Sequence, residues 1–190
     1  MAARNSRYLV LLRGVNVGGK NRVSMAALRE RLEADGFTDV STYIASGNVL
    51  LTSDRRPEQI KAHIERTLPV AFDLHDELVK VVVLSRAQVD AVVANRPKGF
   101  GDDPRTYHSD AIFLIEIDAD EAMQVFDPRE GVDRVWPGDG VIYSQRLSAE
   151  RTRSRLNKAL STPAYKSMTI RSWTTTQALL ERMDAAEDDA

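Results

Sequence analysis

The apolar positions of this chain follow two spacings, and each change of spacing marks an element. Tyr8-Leu9-Val10-Leu11-Leu12 is apolar at successive positions, the mark of a strand covered on both faces. One cover is expected to be its own helices, and the other either a second unit or an extra helix. Ser24 then reads as an N-cap, with Met25, Leu28 and Leu32 on one helical stripe. Gly36 reads as the stop, with Phe37 packing back on the last turn. Strands follow over 40–45 and 49–52, joined through Ser46-Gly47-Asn48 as a tight hairpin. Pro57 opens a second helix carrying Ile60, Ile64 and Leu68, and residues 78–84 read as a fourth strand.

A third helix starts at Ser85, where Ser85 and Gln88 fit a capping box. Residues 97–106, with Pro97, Gly99, Gly101 and Pro104, read as a linker. The order of elements then repeats. A strand covers 111–117, and a short helix starts near Asp118 with Glu121 at the capping position. Two strands flank Pro137-Gly138-Asp139-Gly140, a helix covers 150–160, and a strand covers 168–171. A last helix starts at Thr174 with Gln177 at the capping position. The expected fold is α+β: two tandem ferredoxin-like βαββαβ units, each with an extra helix, packed as one compact protein. The expected boundaries are 1–96, a linker at 97–106, and 107–190.

Candidate chemistry sits after the first strand. The stretch Gly14-Val15-Asn16-Val17-Gly18-Gly19-Lys20 is glycine-rich and basic, and glycines between a strand and a helix let backbone N–H groups converge on an anion. In a ferredoxin-like unit the Ser46-Gly47-Asn48 turn lies at the same sheet edge. The expected ligand-binding set is therefore Arg13, Gly14, Asn16, Gly18, Gly19, Lys20 and Arg22, faced by Ser46, Gly47 and Asn48. Tyr143 and Arg171 are candidate contributors from the second unit. The basic run Arg146, Arg151, Arg153 and Arg155 reads as a solvated face that would supplement an anion site only if it folded toward the glycine loop.

Residues 14–21 also match G-x-x-x-x-G-K-[ST] except that Asn21 stands where the magnesium-binding hydroxyl belongs. The delayed helix start and the following hairpin both argue against a phosphate-loop nucleotidase.

Composition narrows the field. The 190 residues carry a net charge of −2, unlike the basic footprint of a nucleic-acid binder. The first thirty residues nevertheless hold six Lys and Arg against Glu30. Cysteine is absent, so thiolate chemistry and Cys-based zinc sites are excluded. His63, His75 and His108 lack metal-ligand spacing. No run is long enough for a membrane span, so the expected location is the cytoplasm. The partner expected is a small phosphate- or carboxylate-bearing molecule. The alternatives are a nucleic-acid binder or a non-catalytic interaction module. No cofactor and no general acid or base is identified.

Leu12-Arg13-Gly14-Val15-Asn16-Val17-Gly18-Gly19-Lys20-Asn21, followed by Met25, Leu28, Gly36, Tyr43 and Ser46-Gly47-Asn48, resembles the opening of the DUF1697 family, bacterial proteins catalogued as a domain of unknown function. Thr169-Ile170-Arg171-Ser172-Trp173-Thr174-Thr175 is similar to the family's closing T-x-R-N-W-N-T, with Ser172 and Thr174 in place of the two asparagines. The resemblance covers nearly the whole chain and implies membership without an activity.

Overall fold

The computed structural model describes residues 5–16, 21–45, 47–74 and 79–185. Strand β1 (Ser6–Arg13) pairs antiparallel with both β3 (Asn48–Ser53) and β4 (Lys80–Ser85), and β2 (Thr38–Tyr43) completes a four-stranded sheet of order β2-β3-β1-β4. Helices α1 (Met25–Ala34) and α2 (Pro57–Phe72) interleave with these strands, and α3 (Arg86–Ala94) follows. The second half holds β5 (Tyr107–Leu114), α4 (Ala119–Met123), β6 (Asp133–Gly138), β7 (Val141–Leu147), α5 (Leu156–Ala159), β8 (Met168–Ser172) and α6 (Trp173–Ala185). Its sheet is also four-stranded and antiparallel, in the order β6-β7-β5-β8. By contacts the chain divides into two units. One takes residues up to Val89 plus those from Leu179 on; the other is Asp90–Ala178.

In the first unit the period-2 pattern of β1 sends Val10 and Leu12 toward α1 and α2. There they meet Leu28, Leu32, Ile60, Ile64 and Leu68 in one core. Leu9 and Leu11 point the other way and are equally buried, so both faces are covered, as successive apolar positions require. On that second face Arg182 of α6 stacks over the Tyr43 ring at 4.3 Å, and Arg86 and Asp184 pair at 2.7 Å. The C-terminal part of α6 belongs to this cover.

Local signals account for most boundaries. The Ser24 hydroxyl accepts from the Ala27 N–H at the start of α1. Ser85 and Gln88 exchange backbone-to-side-chain bonds of 2.9 and 3.3 Å, the capping box expected for α3. Strands β2 and β5 start and end earlier than the expected 40–45 and 111–117, and two helices also differ from expectation. The helix expected over 150–160 is a 3₁₀ segment (Ser148–Arg153) and the single turn of α5, with Ser154 and Arg155 between them. The buried Asp133 carboxylate accepts the Arg155 N–H at 2.8 Å, which fixes the break. Helix α6 starts at Trp173, one residue before the expected start, because the Ser172 hydroxyl accepts the Thr175 N–H.

The second unit is held on one sheet face by an aromatic cluster. Phe100, fully buried, lies edge-on to Tyr143 (5.2 Å), Trp173 (5.0 Å) and Trp136 (6.1 Å). Gly101 beside it has φ +78, and a Cβ there would stand 2.2 Å from the Trp173 ring. The opposite face carries a second core of Ile112, Ile142, Met168 and Ala122. No helix among the described residues is long and apolar enough to cross a membrane.

Candidate functional site at the edge of the first sheet

The end of β1 and the described start of the loop after it meet the β2–β3 turn. The Leu12 N–H donates to the Gly47 carbonyl at 2.8 Å, joining the end of β1 to the β2–β3 turn. Gly47 has φ +71, and an added Cβ would lie 2.9 Å from Leu12 Cβ and 3.1 Å from its carbonyl oxygen. Only glycine lets the turn approach β1 so closely.

Asn16 makes the second connection. It takes a left-handed φ of +56, and its amide nitrogen donates to the Val23 carbonyl (2.9 Å) and to the Ala45 carbonyl (3.2 Å). Its side-chain oxygen accepts the Val23 N–H at 2.8 Å. One amide therefore ties the loop to α1's approach and to the hairpin. Asn21, nine-tenths buried, donates its amide to the Gly14 carbonyl, while the Asn16 N–H donates to the Asn21 carbonyl. Fully buried Asn48 donates to the Tyr43 carbonyl and closes the hairpin. The bracing role of Asn21 was missed, although Asn is among the few residues that tolerate the left-handed backbone it adopts.

The cations take different positions. Arg13 ends β1 directly opposite Lys80 at the start of β4, so two like charges face each other in register. Arg22 is exposed, forms no ion pair among the described residues, and borders an open concavity with Asn16, Val23 and Ser24. Gly14 sits at φ +80 just beyond Arg13. Gly18, Gly19, Lys20 and Ser46 lie outside the described residues. Helix α1 starts at Met25, well after the Gly-Lys pair, and both neighbours of β1 are antiparallel. A phosphate-loop nucleotidase needs the helix to follow the loop directly and a parallel crossover next, so that reading fails on both counts.

Tyr143 and Arg171 belong to the other unit. They occupy one row of the second sheet with Ala111 between them. Tyr143 is buried and donates its hydroxyl to the Val92 carbonyl at 2.7 Å. Arg171 is buried too, donating to the Thr169 hydroxyl and the Ile170 carbonyl, and burial pushes its guanidinium pKa down to about 10. His63 stands 3.0 Å from Asp35 and edge-on to Phe37, a packing role. No group of three or more His, Asp or Glu suited to a metal occurs among the described residues.

Comparison with known proteins adds a fold and a family. The conserved bacterial protein SP0830 of Streptococcus pneumoniae has a solved structure that superposes with a TM-score of 0.80. It is 27% identical, over 95% of this chain and 99% of that one. No curated protein matches. The model of a protein family of unknown function, DUF1697, matches residues 6–143. That span holds the glycine loop, the hairpin and the whole first sheet, continuing through Tyr143 of the second. The asparagine-braced edge lies inside it, and the chain belongs to the DUF1697 family.

Proposed function

We propose that this protein binds a small phosphate- or carboxylate-bearing molecule where the loop after β1 meets the β2–β3 turn. The observation that carries this reading is the Arg13–Lys80 register. It sets two cationic side chains side by side where β1 ends and the loop begins, and an anion placed there accepts from both. Arg22 adds an exposed cation beside the same loop. In this reading Gly18, Gly19 and Lys20 supply converging donors, and Ser46 closes the site from the hairpin. The braces of Asn16, Asn21 and Asn48 hold the site in shape. Binding is the role assigned to this edge. The two strand orders support reading each half as a ferredoxin-like βαββαβ unit. The lack of cysteine suits a reducing compartment, so a cytoplasmic setting belongs to the same proposal.

A second reading, a non-catalytic interaction module, draws support from the same amides, because the described ones are spent within the fold. Nucleic-acid binding on the sheet is disfavoured, since Tyr43 is stacked under Arg182 and Tyr8 packs on the core.

The test is a thermal-shift screen of nucleotides, sugar phosphates and organic acids, followed by titration of the best hit against variants. Arg22→Ala and Lys20→Ala should each weaken binding by about ten- to a hundred-fold. Arg22→Ala should leave the ligand-free melt unchanged, because Arg22 is exposed and forms no ion pair among the described residues. A screen with no hit, or a hit whose affinity ignores both changes, would favour the interaction module.

A further inference from the structure

The second sheet presents polar and apolar side chains in adjoining rows on the face away from the aromatic cluster. His108, Asp110 and Ile112 alternate along β5, opposite Arg146, Ser144 and Ile142 of β7. The Asp110 carboxyl is only 13% exposed; it lies 3.1 Å from His108 Nε2 and 3.8 Å from an Arg146 guanidinium nitrogen. Beneath this row is a cavity of about 30 Å³ whose apolar walls include Ile112, Phe126, Leu156, Met168 and Ile170. That is room for roughly two water-sized groups. Ser144 is 3% exposed, and its hydroxyl lines the cavity without a hydrogen bond among the described residues.

Outside the cavity His108, Arg146, Ser148 and Arg151 line an open cleft. Arg146 borders both spaces. Arg151 is exposed, and its guanidinium has no partner among the described residues. Arg146 thus lies between Asp110 and Asp133, its partner in the β6–β7 register, and Arg151 is the cation of the cleft without an ion pair among the described residues. Burial raises the pKa of the Asp110 carboxyl, against the opposing pull of His108 and Arg146. The cleft therefore offers the Arg151 guanidinium, and Arg146 connects it to a cavity walled mostly by apolar side chains.

We infer that this face of the second unit binds a short-chain organic anion, with its head on Arg146, Arg151, His108 and Ser148 and its apolar end in the cavity below. Arg146 spans head and body, and Asp110 holds Arg146 and His108 in place. Ser144 offers a hydroxyl at the junction, where an anion oxygen is within the ligand's length. The site is built wholly within one unit and does not depend on the glycine loop.

The experiment is an amide-resolved NMR titration of the full chain with butyrate and hexanoate, alongside acetate (head without body) and 1-butanol (body without head). Butyrate or hexanoate should give saturable shifts at residues 108–112, 144–151 and 156–160. Acetate and 1-butanol should bind at least about tenfold more weakly. Arg151→Met, at an exposed position that the fold does not use, should weaken binding by about tenfold, and Arg146→Met by at least as much. Arg22→Ala should change nothing here, which separates this site from the one at the glycine loop. The inference is overturned if neither acid gives saturable shifts in these segments, if acetate or 1-butanol matches them, or if Arg151→Met binds as the parent does.

Discussion

Asn16→Ala is expected to be among the most costly single changes at the edge of the first sheet, and its size follows from the bonds it breaks. Three are lost: two to carbonyls of Val23 and Ala45 and one from the Val23 N–H. At a net ~1 kcal/mol each they contribute about 3 kcal/mol. Alanine held at φ +56 adds about 1 kcal/mol of backbone strain. The expected loss is therefore about 3–5 kcal/mol, a large share of a domain's stability. Asn16→Gly loses the same bonds but not the strain, and should come out about 1 kcal/mol milder despite its greater unfolded-state entropy. Urea unfolding followed by far-UV circular dichroism is the suitable assay, because both tryptophans lie in the other unit and their fluorescence would report on the wrong half. A loss below about 0.5 kcal/mol for Asn16→Ala would mean the amide is not bracing the loop, and would return Asn16 to the list of ligand donors.

Gly101→Ala should destabilise the second unit by about 2–4 kcal/mol, since the new methyl meets the Trp173 ring at a left-handed φ; tryptophan fluorescence during unfolding checks it, and an unchanged midpoint would refute the packing. Burial alone would raise the Asp35 pKa, but hydrogen bonds and charge from His63 and Arg31 outweigh it and hold the pKa below its ordinary value. The stabilisation is then present above the unfolded pKa of 3.8 and lost as pH falls through the folded one, so Asp35→Asn should cost about 1–2 kcal/mol at pH 7 and little in strong acid. Asp110 has the opposite sign: its folded pKa is raised, so its contribution worsens as pH rises from 3.8 through the folded value. Asp110→Asn should therefore gain on the parent as pH increases over that window, and a variant that loses ground instead, in melts run across pH 3.5–7, would show the carboxylate to be welcome.

The sequence made the first unit legible because its signals are local and redundant. Helix α2 announces itself by Pro57 and an apolar stripe, α3 by a capping box, and the successive apolar residues of β1 by burial on two faces. The βαββαβ order alone puts the hairpin at the sheet edge where β1 ends. What stayed hidden depended on distant partners. Phe100 stands in a stretch whose prolines and glycines read as linker, yet it centres an aromatic cluster drawn from β6, β7 and α6. The break after Arg153 is made by Asp133, some twenty residues upstream. Asp110 and Arg146 meet only because β5 and β7 pair in one register, and nothing in their spacing says so.

The place of α6 in the fold has a consequence in time. Leu179 and Met183 are fully buried, and with Arg182 they belong to the unit that begins with β1. During synthesis, therefore, the first sheet emerges early, but the part of its cover that α6 supplies, over Tyr43, arrives only after an entire second unit has been made. A nascent chain lacks that part throughout the interval, and incompletely covered apolar surface is prone to aggregation. The second unit can complete itself first, and the first to be started is the last to be finished.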